Sequence, residues 1–243
     1  MFEREHHLRI AAVLQSLDAE ILRKHGCLFG GGTAITLMRS EYRESLDIDF
    51  LISDPAGYRD LRSALTGKKG LGAITRAGSV LTPAREIRAD QYGIRTMLVV
   101  AGTEIKFEIV FESRIKLEQP GLGDQICGIA TLTPLDLAAS KLLANSDRWT
   151  DDSVFSRDLI DLAMLEPPRP HLLQAIAKAS IAYGDAVARD LEKAIQRLKE
   201  RPGRLDDCMA ALKIDSLSKA VLWKRIRALK GKRRTATAKK GIS

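Results

Sequence analysis

Between His6 and His25, Ile10, Leu14, Leu17, Ile21 and Leu22 recur at three- and four-residue spacings. This predicts one amphipathic helix, stopped by Gly26. Cys27-Leu28-Phe29 reads as a short buried strand ended by Gly30-Gly31-Gly32, and Thr33 to Met38 as the first turns of a helix. Asp47 to Ile52 predicts a second strand that stops at Ser53-Asp54-Pro55. Pro55 suits the first turn of a helix ending near Gly67. Ile94 to Val100 and Glu104 to Phe111 are β-branched and aromatic runs joined by Ala101-Gly102-Thr103, the pattern of a hairpin. Glu86 to Tyr92 and Ile126 to Leu132 are expected as further strands, with a loop over Gln119 to Gly123. From Thr133 onward the pattern is helical: Thr133 is the cap, Pro134 the first helical residue, and Pro167-Pro168-Arg169-Pro170 the one break. No internal repeat is present. The fold class expected is therefore α/β (α+β): a mixed sheet with flanking helices over residues 1–130, an all-helical domain over 131–230, and a tail over 231–243.

Composition narrows the class. Hydrophobic residues at 45% and charged residues at 29% are ordinary for a globular chain of 243 residues. Wholesale disorder, a collagen-like repeat and a disulfide scaffold are excluded. No apolar run approaches the ~18–20 residues that span a bilayer, and Met1 to His7 lacks a basic segment followed by an apolar one. Cys27, Cys127 and Cys208 are odd in number and far apart, so they read as reduced packing residues. A cytoplasmic location is the expectation. His6 and His7 are expected to be terminal and exposed, and Trp149 and Trp223 to be packing residues.

The net charge of +8 lies at one end. From Lys219 to Ser243 there are ten Lys or Arg and no acid, which leaves 29 basic against 31 acidic side chains in the preceding 218 residues. Such a block is a contact for phosphate backbones or acidic surfaces. Lys224, Arg225 and Arg227 share a predicted helix with Val221, Leu222, Ile226 and Leu229. Beyond it the tail has nothing to bury and is expected to be disordered alone.

Asp47 and Asp49 carry the chemistry. Two apart in a strand, their carboxylates project from one face roughly 6.6 Å apart. At an effective dielectric of about 20 they repel by roughly 2.5 kcal/mol. A divalent cation turns that repulsion into attraction, and oxygen-only ligands suit Mg²⁺ or Mn²⁺. In Ile105 to Ile109 the alternation puts Phe107 and Ile109 on one face and Lys106 and Glu108 on the other. Glu108 is then available as a third carboxylate, for two metals serving in-line phosphoryl transfer. Upstream, Gly30-Gly31-Gly32-Thr33 between strand and helix lets main-chain N–H groups approach a polyphosphate. No Lys follows at the Walker position and no Gly-x-Gly-x-x-Gly spacing exists, so neither the P-loop nor the dinucleotide fingerprint fits.

The order of these pieces resembles the polymerase-beta-like nucleotidyltransferase superfamily. The string Gly31-Gly32-Thr33-Ala34 with Arg43-Glu44-Ser45-Leu46-Asp47-Ile48-Asp49-Phe50 is similar, more narrowly, to the AbiEii/AbiGii abortive-infection toxins. Pro134 to Ala144 resembles that family's lysine-bearing helix, here with Lys141, and Arg157-Asp158-Leu159-Ile160-Asp161-Leu162 its following helix. The resemblance spans roughly residues 25 to 165. It implies a nucleotidyltransferase-fold sheet, Mg²⁺ or Mn²⁺ as cofactor, and an NTP as substrate. It also implies roles: Asp47 and Asp49 on the metals, Glu108 on the second metal or as base, and Lys141 on the triphosphate. Asp158 would orient Lys141 or contact the nucleotide, with Gly31, Gly32, Thr33, Arg43 and Ser45 near phosphate. Arg157 is expected to pair with Asp161 as scaffolding.

The leading reading is an enzyme that moves a nucleoside monophosphate from an NTP to a hydroxyl of RNA, tRNA above all, or of a protein. As a toxin it would have an antitoxin partner. The alternatives are an antibiotic-type small-molecule nucleotidyltransferase, and a non-catalytic nucleic-acid-binding protein that kept the fold.

Overall fold

The computed structural model describes residues 2–230. The tail over 231–243, expected to be disordered alone, lies outside the described residues. The chain opens with α1 (Glu5–Ser16) and α2 (Ala19–Lys24), then β1 (Leu28–Phe29), α3 (Gly31–Met38), β2 (Ile48–Ile52) and α4 (Pro55–Thr66). A 3-10 turn at Gly70–Ala73 leads to β3 (Thr82–Pro83), β4 (Arg88–Ala89), β5 (Gly93–Val100) and β6 (Thr103–Phe111). After β7 (Gln125–Ile126) and β8 (Ile129–Ala130) come α5 (Pro134–Arg148), α6 (Arg157–Leu165), α7 (Arg169–Tyr183), α8 (Ala186–Glu200), α9 (Arg204–Ala211) and α10 (Lys219–Ala228).

The main sheet runs β1-β2-β6-β5-β3, with β4 also on β5. β2 and β6 are parallel and the other pairs antiparallel, a mixed sheet as expected. Its inner face buries Ile48, Phe50, Ile52, Phe107 and Ile109. The rings of Phe29, Phe50 and Phe107 pack in a row, with centroids 5.5 and 5.6 Å apart. The opposite face of β2 and β6 carries Asp49, Lys106 and Glu108. α3 packs on β2 and on α5 and α6, joining the sheet to the helical half.

Local chemistry accounts for the boundaries. Pro134 opens α5 behind Thr133, whose hydroxyl accepts from Asp136 N–H, and Pro55 opens α4 behind Asp54, which accepts from Gly57 N–H. On α10, Leu222 and Ile226 are buried, as is Leu229 just past its end, and the helix packs against α6. Trp149 and Trp223 pack at the edge of the core.

Five expectations change. The helical half is broken between each successive pair of helices from α5 to α10, not only at Pro167 to Pro170. The single first helix is two: Leu17, wholly buried, leaves the helix to bridge Thr75, and Asp18 starts α2 by accepting from Glu20 and Ile21 N–H. Of Glu86 to Tyr92, only Arg88–Ala89 is strand. Residues 126–132 are not one strand, because Cys127 and Gly128, at φ 51° and 81°, turn the chain back into the β7–β8 hairpin. Asp47 precedes β2, which begins at Ile48.

Candidate active site

A cleft of about 440 Å³ lies between the polar face of β2 and β6, the N-terminus of α3, the segment 43–47, and one face of α5. Gly31, Gly32, Arg43, Ser45, Asp47, Asp49, Glu108, Lys141 and Asp158 all line it. Of the residues expected at the site, Thr33 alone is absent from the lining.

Asp49 is fixed by its backbone, whose carbonyl accepts from Gly30 N–H at 2.8 Å. Gly31 lies against its side chain: at φ +67°, a Cβ on Gly31 would stand 2.5 Å from Asp49 Oδ2. Only glycine allows this approach. The N–H groups of Gly31, Gly32 and Thr33 precede the first intrahelical bond, Ala34 N–H to Gly30 O. They form the electropositive end of α3. Burial raises the proton affinity of the Asp49 carboxyl, and neighbouring Asp47 raises it further, against the opposing pull of Lys106. The cleft is thus short of positive charge at the aspartate pair. Two carboxylates with this deficit suit one hard divalent cation that takes its other ligands from water and phosphate.

Glu108 stands opposite Asp49 in register across β2 and β6, but it is otherwise engaged. Its oxygens accept from Arg95 Nε at 2.6 Å and Lys106 Nζ at 2.5 Å. Burial alone would raise its carboxyl, yet these two cations hold it below the usual carboxylate range. Among the described residues, no three His, Cys, Asp or Glu side chains are grouped to hold a metal. Asp47, Asp49 and Glu108 share the cleft without forming a triad.

Lys141 is only 6% exposed, although a lone lysine on an apolar helix face ordinarily reaches for water. Its Nζ bridges Asp158 at 3.0 Å and Asp161 at 2.7 Å. Asp158 also takes two hydrogen bonds from Arg148, at 2.7 and 3.0 Å. Asp161 takes a bidentate pair from Arg43, at 2.7 and 2.9 Å, and a bond from Tyr42 Oη. Burial opposes ionisation of both carboxyls, but Lys141 with Arg148, and Arg43 with Lys141, outweigh it and hold both below the usual carboxylate range. Arg43 is therefore a buried anchor, and the partner expected of Asp161, Arg157, is replaced by Arg43 and Lys141. Arg157 lines the cleft instead.

Thr33 is buried. Its hydroxyl donates to the Asp47 carbonyl at 2.5 Å and pairs with Ser45 Oγ at 2.8 Å, holding the segment that carries both. His7, expected to be exposed, is completely buried behind the same segment. Ser45 N–H donates to its Nε2 at 3.1 Å, so that nitrogen is bare, and Nδ1–H donates to Glu41 Oε1 at 2.7 Å. Burial keeps this imidazole neutral, lowering its proton affinity. His6 Nε2 lies 2.9 Å from Leu46 O.

The profile of the family described as nucleotidyl transferase AbiEii toxin, type IV toxin–antitoxin system, matches residues 13–230. This chain belongs to that family. It is a nucleotidyltransferase toxin, and the non-catalytic reading falls away. No curated protein matches it. Two solved structures are similar in fold. One, described as a candidate nucleotidyltransferase from H. pylori, is 17% identical over 92% of each chain, with a TM-score of 0.50. JHP933 from Helicobacter pylori is 16% identical over 94% of this chain and 93% of that one, also at 0.50.

Three residues lining the AbiEii cleft, and Arg95 behind Glu108, escaped the sequence reading. Arg148 follows Lys141 by seven positions on α5, and Arg95 faces Glu108 through the two-residue turn at Ala101 and Gly102. Helical spacing and hairpin register were signals for both. Glu112 and Arg114, joined at 2.6 Å at the far end of the cleft, follow β6 with no comparable signal.

Proposed function

We propose that this AbiEii chain transfers a nucleoside monophosphate from an NTP to a hydroxyl of tRNA, releases pyrophosphate, and is held in check by a cognate antitoxin protein. The observation that carries the reading is the composition of one cavity. The aspartate pair, the open N–H groups of α3 and six cations (Arg43, Lys106, Arg114, Lys141, Arg148, Arg157) line a single cleft.

In this reading the N–H groups at Gly31 and Gly32 receive triphosphate oxygens, and the cleft's cations balance the remaining charge. Lys141 is oriented by Asp158 and Asp161, while Arg43 and Thr33 hold the walls. Asp47 and Asp49 would hold a divalent cation, Mg²⁺ or Mn²⁺, which when bound neutralises charge developing on the transferred phosphoryl group. Burial and Asp47 raise the proton affinity of the Asp49 carboxyl, a charge deficit that a bound divalent cation would offset. Glu108, locked between Arg95 and Lys106, stays anionic and orients Lys106. The family's place in toxin–antitoxin systems supports an antitoxin partner. The ten cations from Lys219 onward support a polyanionic acceptor.

The test uses each of the four NTPs labelled at the α-phosphate, total tRNA, and Mg²⁺ or EDTA. Label in the tRNA with Mg²⁺, lost with EDTA, is expected. Label on protein, or no dependence on tRNA, would remove RNA as acceptor.

A further inference from the structure

We propose that His7 is a positioning residue for Asp47, acting through the main chain of Ser45. This rests on the reading of Asp47 as a catalytic carboxylate, though the hydrogen bonds themselves do not depend on it.

The segment 43–47 has no regular secondary structure, yet it carries Asp47 and reaches β2 in a fixed path. Its first residue, Arg43, is anchored on Asp161, His6 Nε2 lies against Leu46 O, Lys213 pairs with Glu44, and three further ties hold the rest. Glu44 N–H donates to Leu212 O at 3.1 Å, and Thr33 grips Ser45 Oγ and the Asp47 carbonyl from the α3 side. From the α1 side, the buried Nε2 of His7 is the acceptor for Ser45 N–H. Glu41 makes that acceptor: by accepting a hydrogen bond from Nδ1–H it selects the tautomer with Nε2 bare. Glu41 is itself held by the N–H groups of Glu3 and Arg4. The whole device therefore depends on the first turn of the chain, and His7 lies before the stretch matched to the family, 13–230. With no acceptor at Nε2, Ser45 N–H would be buried and unpaired, and the segment would shift to find water or another oxygen. A displacement of about 1 Å at a reacting group costs roughly 100-fold in rate.

Two variants separate this role from simple packing. His7→Gln keeps an acceptor at the Nε2 position and loses the partner for Glu41. His7→Asn keeps a donor near Nδ1 and loses the acceptor. Full-length wild type and both variants are compared by amide hydrogen exchange over residues 43–47 and by steady-state label transfer to tRNA. His7→Gln is expected to retain protection of the Ser45 amide and a kcat within about threefold. His7→Asn should lose protection and roughly 100-fold in kcat, with KM for the NTP little changed. Equal exchange in the two variants, whether both protected or both exposed, would overturn the proposal. So would His7→Asn turning over like wild type. If wild type itself transfers no label, the acceptor reading fails, and the exchange comparison still decides for or against His7.

Discussion

Removing the Lys141 ammonium would leave Asp158 and Asp161, both buried, facing each other with one fewer counter-charge. Breaking a buried pair by deleting one partner costs about 3–5 kcal/mol. Lys141→Ala is therefore expected to lose that much stability in urea unfolding, as well as to weaken NTP binding. A variant as stable as wild type would show the ion network to be incidental. Asp49 behaves oppositely. Its folded-state proton affinity is raised, so whatever stability it contributes belongs to low pH and is lost as pH rises through the folded value. At neutral pH, Asp49→Asn should melt at or above the wild-type temperature. At this scale the sequence was informative where strand alternation decides orientation, as for Asp49 and Glu108, whereas Asp47 precedes β2 and is held through its carbonyl by Thr33. The sequence was silent on Arg43, which looks like a solvated loop cation until Asp161, 118 residues away, covers it. His7 was misread for the same reason, since its burial depends on contacts 34 and 38 residues on.

The element that does most for the cleft is the N-terminus of α3, and its glycines are there for space. A Cβ on Gly32 would stand 2.2 Å from Arg43 Nη2 and 3.0 Å from Asp161 Oδ2, inside the anchor pair. One on Gly31 would meet Asp49 as well as the penalty of a left-handed φ. Gly26, also at positive φ (+65°) but with nothing within 4 Å, is the control. Gly26→Ala should cost about 1–2 kcal/mol of strain and leave NTP binding intact. Gly31→Ala and Gly32→Ala should cost more stability and abolish NTP-dependent thermal stabilisation. If all three behave alike, close packing at α3 is not what these glycines serve. Helices with caps and prolines, α4 and α5 among them, were legible in the sequence because their signals are local. The first helix and the 126–132 segment were not. An extended residue bridging Thr75 and a turn at Cys127 are imposed by partners outside the local pattern.

At the scale of the whole molecule, the two halves meet through charge as well as apolar packing. Asp158 and Asp161 on α6 are tied to Arg43 from the sheet side and to Lys141 and Arg148 on α5. Both carboxyls are held below their ordinary value near 3.9. Their stability is fully present above about pH 4 and is lost as pH falls through the folded-state values. Urea midpoints should fall below about pH 4, and Asp158→Asn should flatten that limb. An identical acid limb in the variant would place the acid sensitivity elsewhere. For the acceptor, deleting residues 231–243 removes five cations. The slope of log tRNA affinity against log salt should become shallower by up to about four units, with NTP binding unchanged. Identical slopes would mean that the tail does not touch RNA. The most direct measurement is label transfer from α-labelled NTP in Mg²⁺ by wild type and Asp49→Asn, with the melting temperature of each recorded. Transfer by wild type, and none by an equally stable Asp49→Asn, is the expected result; near-normal turnover by the variant would contradict the assignment of chemistry to the aspartate pair.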